Sequence, residues 1–305
     1  MTRLIRIGTR ASKLARAQAQ MVQEALAALD PTLTFEMVAM TTAGDREVHK
    51  KLSDWGYKGL FTKELEDLLL TDEIDLAVHS MKDMPSILPD GLIIAGMLPR
   101  ADVRDAWISP HYARLDDVPE GATIGTSSAR RAAQLLHRRP DAKVVDFRGN
   151  VETRLRKLDE GVAVASFLAA AGLIRLGLAT HIRETIAPET MLPAVAQGAV
   201  GIECRAARVD IVELVSRISH TPTMTCLTAE RAFLEVLDGS CRTPIAGLAT
   251  LADGQIHLRG EVLSLDGTIR YFHEIRGSEN DAAALGSSLG TLLRAAAGKA
   301  LLTHG

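Results

Sequence analysis

Apolar and polar positions alternate from the first residues of the chain. Residues 3–8 (RLIRIG) carry the two-residue period of a strand. After Ser12, the residues Leu14, Ala17, Met21, Val22, Ala25 and Leu26 fall at helical spacing, and Asp30-Pro31 stops the run. Residues 35–40 predict a second strand. Residues 44–58 have no clean period and carry Gly at both ends, so they predict a long loop. A helix follows near 62–70, and 74–80 (IDLAVHS) predict an apolar strand ending in polar residues. Strand, helix and strand in alternation argue for an α/β sheet covered on both faces.

A second run of the same kind begins near residue 102. Residues 122–126 (ATIGT) and 143–149 (KVVDFRG) predict strands, each followed by a helix, SSARRAAQLLHRR and NVETRLRKLDEG. VAVASFLA (162–169) predicts a strand or buried segment, and AAGLIRLG another helix. The apolar, Gly-punctuated stretch 193–205 has the character of a return to the first sheet. Beyond Thr221-Pro222 the pattern changes. A helix over 228–237 leads to an antiparallel meander with turns at Asp253-Gly254 and Asp266-Gly267, and residues 281–302 predict a closing helix. Three parts are expected, two α/β and one small α+β.

Composition narrows the class. The chain has 305 residues, 47% hydrophobic and 24% charged, an ordinary globular balance. No apolar run approaches the roughly 18 residues that span a bilayer, so no membrane association is expected. Arg interrupts the first residues every few positions, which leaves no stretch for a secretory signal. Cys204, Cys226 and Cys241 form no disulfide framework, and there is no C-x-x-C for zinc. A reduced, cytoplasmic protein is the expectation. Net charge is −3 and aromatic content 4%, which supplies neither a basic surface nor stacking platforms for nucleic acid. The 35 basic residues divide into 26 Arg and 9 Lys, and seven of the Arg lie between Arg130 and Arg156. Arg grips carboxylate or phosphate in bidentate fashion. Arg138 and Arg139, ending a helix before Pro140, are read instead as ordinary wet helix-end residues.

Three strand ends share a pattern in which hydroxyl or basic residues follow at once: Gly8-Thr9-Arg10-Ala11-Ser12, Ser80-Met81-Lys82-Asp83, and Thr126-Ser127-Ser128-Ala129-Arg130-Arg131. Ligands of open α/β sheets bind beyond the carboxyl ends of strands, and helix starts favour anions. A single Ser there is more often a helix cap, but three clusters with basic partners favour binding of several carboxylates or phosphates. No P-loop sequence is present. Asp83 has two readings of equal weight, a proton acceptor or cation stabiliser and a plain surface pair with Lys82. Cys241, in a Gly/Ser loop beside Arg242, has the setting of a reactive thiol, whereas Cys204 and Cys226 read as small buried hydrophobes. His49, His79, His111 and His137 have no metal-ligand spacing, and His79 reads as structural.

Taken together, eight strings resemble the porphobilinogen deaminase family: RIGTRASKLA (6–15), KGLFTKELE (58–66), AVHSMKDMP (77–85), IGTSSARR (124–131), RGNVETRL (148–155), AGLIRLG (171–177), LPAVAQGAVGIE (192–203) and ERAFLEVLDGSCRTPIA (230–246). Each alone is weak; their common order and spacing along nearly the whole chain are specific. The resemblance implies two periplasmic-binding-protein-like α/β domains, residues 1–98 with 199–217 and residues 99–198, and a small α+β domain, residues 218–305. It implies a monomeric transferase that condenses four porphobilinogen molecules head to tail, releasing ammonia, into hydroxymethylbilane. It also implies a dipyrromethane cofactor held by a thioether to Cys241.

Carried over by motif, Ser80, Lys82, Asp83, Thr126, Ser127, Ser128, Arg130 and Arg131 are expected to hold that cofactor. Arg10, Ser12, Gln18, Arg148, Asn150, Arg154 and Arg175 are expected to serve the substrate and growing chain. The catalytic set is Asp83, Lys82, Arg10, Arg148 and Arg154, with Asp83 facing the pyrrole N–H groups and stabilising the cation left when ammonia departs. Residues 44–58 become a mobile cover ending near Phe61. The chain departs from the family pattern at Tyr57 and Ala196, where glycine is usual, at Ala129, where a larger apolar residue or proline is common, and at Val164, where an acid is often found. Three rival readings fit the sequence less well. A two-lobed anion-binding protein leaves the Cys241 loop unexplained. A nucleic-acid binder lacks basic surface and aromatics. A cysteine hydrolase needs a histidine beside Cys241.

Overall fold

The computed structural model describes residues 3–42, 62–237 and 243–302, with side chains through residue 298. The predicted cover loop lies outside the described residues. The chain divides into two compact units, residues 1–101 with 198–224, and residues 102–197 with 225–305.

The first unit is built on β1 (Arg3–Arg10), β2 (Leu33–Met40), β3 (Leu76–Ser80), β4 (Leu92–Met97) and β10 (Val200–Arg205), in the order β2-β1-β3-β10-β4. β1 runs parallel to β2 and β3, whereas β10 is antiparallel to both β3 and β4. The segment expected to return to this sheet therefore does so in its interior. Helices α1 (Lys13–Leu29) and α6 (Val209–Ser216) cover one face through Val22, Leu26, Ile211 and Val215, packed on Ile5, Ile7, Val78 and Ile202. Helix α2 (Lys63–Leu70) covers the other through Leu65 and Leu69, against Ile74 and Ala77. Successive strand residues thus feed opposite cores, as the period of two requires.

The second unit repeats the plan. β5 (Asp105–Ile108), β6 (Thr123–Gly125), β7 (Lys143–Val145), β8 (Ala165–Ala169) and β9 (Glu184–Ile186) lie in the order β7-β6-β8-β5-β9. Trp107 and Phe167 meet edge to face at 5.2 Å on one side. Their neighbours Ala106, Ile108 and Leu168 belong to the opposite core with Phe147 and Leu173. Helices α3 (Ala129–Arg138), α4 (Val151–Asp159) and α5 (Ala170–Arg175) follow β6, β7 and β8. The same unit carries the predicted meander, β11 (Ile245–Ala252), β12 (Gln255–Leu263) and β13 (Arg270–Ser278), antiparallel throughout. Asp253 and Gly254 both sit at positive φ in the first hairpin turn. Helices α7 (Thr221–Val236) and α8 (Ala282–Leu302) complete the described elements.

Two boundaries differ from those expected by four residues or more. Helix α7 begins at Thr221, seven residues before the predicted start, because Pro222 falls in the first turn, where no intrahelical N–H is needed. The strand predicted over 143–149 ends at Val145, and residues 146–149 form the loop that aims Arg148.

Ala196 shows what the departure from glycine costs. Its φ is 62°, in the left-handed region, and its N–H donates to the buried Glu230 Oε2 at 2.6 Å. That conformation costs an L-residue roughly 1–2 kcal/mol. Ala196→Gly relieves the strain at the smaller cost of a freer unfolded chain. It is expected to raise stability by up to about 1 kcal/mol, a melting midpoint higher by ~2 °C. Calorimetry checks this, and a lower midpoint refutes the strain argument.

Candidate functional site

The polar residues of the first unit gather where β1 and β3 end. Ser12 caps α1, its Oγ accepting from the Ala15 N–H at 3.3 Å. One turn on, Gln18 is buried, and its side-chain amide bonds Ser80 Oγ at 2.9 Å. After Ser80 the chain makes a single tight turn, Met81–Asp83. Met81 is buried against Gly201, where a side chain's Cβ would lie 2.0 Å from the Met81 sulfur. Met84 is buried as well, so Lys82 and Asp83 are held outward between two anchors. Arg10, Gln18, Thr62, His79, Ser80 and Asp83 line one small cleft of about 20 Å³.

Behind this cleft lies a polar cluster. His79 Nε2 is 2.9 Å from Glu203 Oε2, with both side chains buried. Glu66, on α2, is buried beside them. Burial above all, and then the Glu203 carboxylate, push its carboxyl above the usual range, against the Thr62 hydroxyl and His79.

In the second unit the hydroxyls following β6 are tied to backbone. Thr126 Oγ1 accepts from the Ser128 N–H, Ser127 Oγ accepts from the Phe147 N–H at 2.8 Å, and Ser128 Oγ caps α3 by accepting from the Arg131 N–H. Arg130 and Arg131 turn inward and are only 5% exposed. Both pair with the fully buried Asp105, Arg130 Nη2 at 2.8 Å from Oδ2 and Arg131 Nη2 at 2.7 Å from Oδ1. Gln197 Nε2 adds a third donor at 3.1 Å. The remaining forks donate to the Leu192 and Phe167 carbonyls. Burial alone would raise the Asp105 carboxyl, but the two guanidiniums hold it far below the usual carboxylate range.

The RGN turn sits after β7. Gly149 has a φ of 118°, which a side chain rarely adopts, and Asn150 caps α4 by accepting from the Thr153 N–H at 2.9 Å. Arg154 Nε donates back to the Gly149 carbonyl at 2.9 Å, and Arg148 lies 3.1 Å from Asp146. Arg154 is pushed down to about 10, first by burial and then by the neighbouring Arg131. Arg175 ends α5, half-buried, and burial lowers its guanidinium as well.

The expected residues therefore collect in two places. Arg10, Gln18, Ser80 and Asp83 line one strand-end cleft in the first unit, with Ser12 at the start of α1 and Lys82 in the turn beside Asp83. Thr126, Ser127, Ser128, Arg130, Arg131, Arg148, Asn150 and Arg154 belong to the second, where Arg131 acts electrostatically on Arg154. Cys241 and Phe61 lie outside the described residues. Cys204 and Cys226 are buried, and burial pushes the Cys204 thiol up to about 11. Arg138 and Arg139 pair with Asp116 and Asp141 at the helix end, as expected of wet residues. Among the described residues no group of His, Cys, Asp or Glu forms a metal site, and no helix is long and apolar enough to cross a membrane. Sequence reasoning passed over Asp105, Gln197, Glu66 and Glu203. The detectable signal was a carboxylate opening or interrupting an otherwise apolar strand, as in DAWI and VGIECR.

A family model described as "Porphobilinogen deaminase, dipyromethane cofactor binding domain" matches residues 5–213, and one described as "Porphobilinogen deaminase, C-terminal domain" matches residues 224–295. A curated relative named porphobilinogen deaminase, from Paracoccus denitrificans (strain Pd 1222), is 52% identical over 292 residues, 95% of this chain and 93% of its own. Distant likenesses among solved structures include the methionine-binding protein MetQ, at 15% identity, covering 70% of this chain and 89% of that one with a TM-score of 0.44. The periplasmic VFT2 domain of Bordetella pertussis BvgS is another, at 16% identity, 70% and 86% coverage and a TM-score of 0.42.

Asp105→Asn removes the one carboxylate to which both buried guanidiniums donate. Breaking a buried pair in this way costs about 3–5 kcal/mol, which urea denaturation will read as a lower midpoint. In the wild type the Asp105 carboxyl is depressed on folding, so its contribution is complete above the unfolded carboxylate range. It is lost only as pH falls toward the lower folded value. The difference between wild type and variant is therefore expected to persist unchanged from neutral pH down to about pH 5.

Proposed function

The chain belongs to the porphobilinogen deaminase family, and on that premise we propose which of its residues carry the reaction. It is a transferase of tetrapyrrole synthesis, condensing four porphobilinogen molecules head to tail, with release of ammonia, into hydroxymethylbilane. The observation that carries this reading is the 52% identity over 95% of the chain. Its larger part is the family's dipyrromethane-binding domain.

Each pyrrole of the substrate bears an acetate and a propionate, so the growing product accumulates negative charge. The donor set suits that load. Arg130 and Arg131 share a single carboxylate, leaving an excess positive charge out of water, and Arg154 adds another. We assign cofactor carboxylates to Ser80, Lys82, Thr126, Ser127, Ser128, Arg130 and Arg131. Arg10, Ser12, Gln18, Arg148, Asn150, Arg154 and Arg175 take the incoming substrate and the growing chain. The Ser and Asn side chains that cap helices accept from backbone and keep their own O–H or N–H donors for a ligand.

Bound through a thioether to Cys241, the dipyrromethane supplies the free ring carbon from which the chain grows. Asp83 faces the pyrrole N–H groups, stabilises the cation left on porphobilinogen when ammonia departs, and accepts the proton lost on coupling. Its exposed setting between buried Met81 and Met84 supports that role, since the two methionines anchor the turn that carries it. The proposal also keeps the division into residues 1–98 with 199–217, residues 99–198 and residues 218–305. The enzyme is taken as a cytoplasmic monomer that binds no nucleic acid.

Asp83→Asn is expected to lower kcat by at least about 100-fold while KM moves by less than about threefold, because the interaction is made chiefly in the transition state. Near-normal kcat refutes the role. The intact mass of purified wild type is expected to exceed the sequence mass by one dipyrromethane, and Cys241→Ala to show the bare polypeptide. A wild-type mass equal to the sequence mass favours an anion-binding protein over an enzyme of this mechanism.

A further inference from the structure

Three buried groups in the first unit have no part in the assignment above. His79, one residue before Ser80, turns into the interior and meets Glu203 Oε2 at 2.9 Å. Glu203 lies on β10, fully buried, and its second oxygen has no hydrogen-bond partner. Glu66, from α2, is buried close enough to feel both, and its Oε1 is also without a partner. Two carboxyl groups and one imidazole thus share a space closed to bulk water. Such a cluster is costly to bury, and a structural role is poorly served by two orphaned oxygens. Burial first, and then the Glu203 carboxylate, push the Glu66 carboxyl above its usual range.

Among the described residues, a cleft reaches the cluster at His79. His79 lines the same cleft as Asp83, Ser80, Arg10 and Thr62. Its volume of about 20 Å³ holds one water molecule, and its walls supply the polar partners that such a water needs. Asp83 and His79 therefore border one cleft with room for a single water between them, and the His79 ring meets Glu203.

We propose that His79, backed by Glu203 and Glu66, is a buried proton store that serves Asp83 through this cleft. This rests on the reading of Asp83 as the group that takes the coupling proton. In each coupling the C–H bond at the ring α-carbon breaks and its electron pair restores the aromatic ring. The proton passes to the Asp83 carboxylate and then, through the water, to the imidazole. It returns by the same path to the ammonia released, which leaves as ammonium, so each cycle ends with the store as it began. His79 acts through Asp83 and is a positioning residue in that sense. The charged and titratable groups facing it are Glu203 from β10, Glu66 from α2, Arg10 from β1 and Asp83 from the turn after β3.

The test uses holoenzymes of wild type, His79→Gln, Glu203→Gln and Asp83→Asn. It measures kcat across pH, and the NMR titration of isotope-labelled His79. Gln at 79 can still donate to Glu203 but cannot take a proton. In wild type, kcat is expected to fall on the acid side as His79 fills, with the ring resonance titrating at the same midpoint. His79→Gln is expected to lose that limb and at least about tenfold in kcat, with KM unchanged. Glu203→Gln removes the partner of the imidazolium, so both midpoints move together to lower pH. Wild-type kcat and pH profile in His79→Gln overturn the proposal. So does a His79 ring that does not titrate with the kcat limb. Should His79→Gln fail to fold, the NMR titrations of wild type and Glu203→Gln decide alone. A crippled Asp83→Asn beside a normal His79→Gln sinks the proton store and leaves Asp83 in place. A normal Asp83→Asn brings down both.

Discussion

Arg130 and Arg131 meet Asp105 where water does not reach, and the imbalance of that contact governs the second unit. One carboxylate answers two guanidiniums. The carbonyls of Leu192 and Phe167 satisfy donors but bring no full charge. A buried excess of positive charge is expensive unless something anionic shares it. The contact is thus a strut that fixes β5 to α3. Arg154 shows the reach of this field, since burial and the nearby Arg131 together lower its guanidinium.

The polar residues around both strand-end sites serve two purposes at once. Ser12, Ser128 and Asn150 start helices by accepting backbone N–H groups, and each retains a donor of its own. Capping holds these donors in place at helix starts, where backbone N–H groups already favour anions. Met81 and Met84 play the corresponding part for Asp83, anchoring the turn so that the carboxylate stays out. Rigidity of the frame is what allows a charged group to be exposed and still aimed.

The first unit places its unusual chemistry behind that turn. β10 enters between β3 and β4, running against both. That one insertion brings Glu203 to His79, 124 residues away, and seats Gly201 over Met81. An acid in an apolar strand is ordinarily a fault; here it meets a histidine, one residue before Ser80 and the turn that carries Asp83, and lies near a second acid.

Local chemistry was legible without coordinates. The two-residue period of 3–8, the helical spacing after Ser12, the Asp253-Gly254 turn and the eight ordered strings each depend on neighbours within a few residues. Short-range sterics and capping decide such features, so the chain itself determined most of the strands and helices and the family, though β4, β5, β9 and α6 were not among the elements anticipated. The start of α7 was missed because Pro222 stops a helix only when it falls beyond the first turn. What the tertiary structure alone decided is which polar groups meet: Arg130 and Arg131 with Asp105, Gln18 with Ser80, and His79 with Glu203, near enough to Glu66 to act on it. Those partners lie far apart in the chain and become neighbours only through the order of strands in a sheet. Their protonation and their cost depend on burial, which no single segment possesses before the sheets assemble.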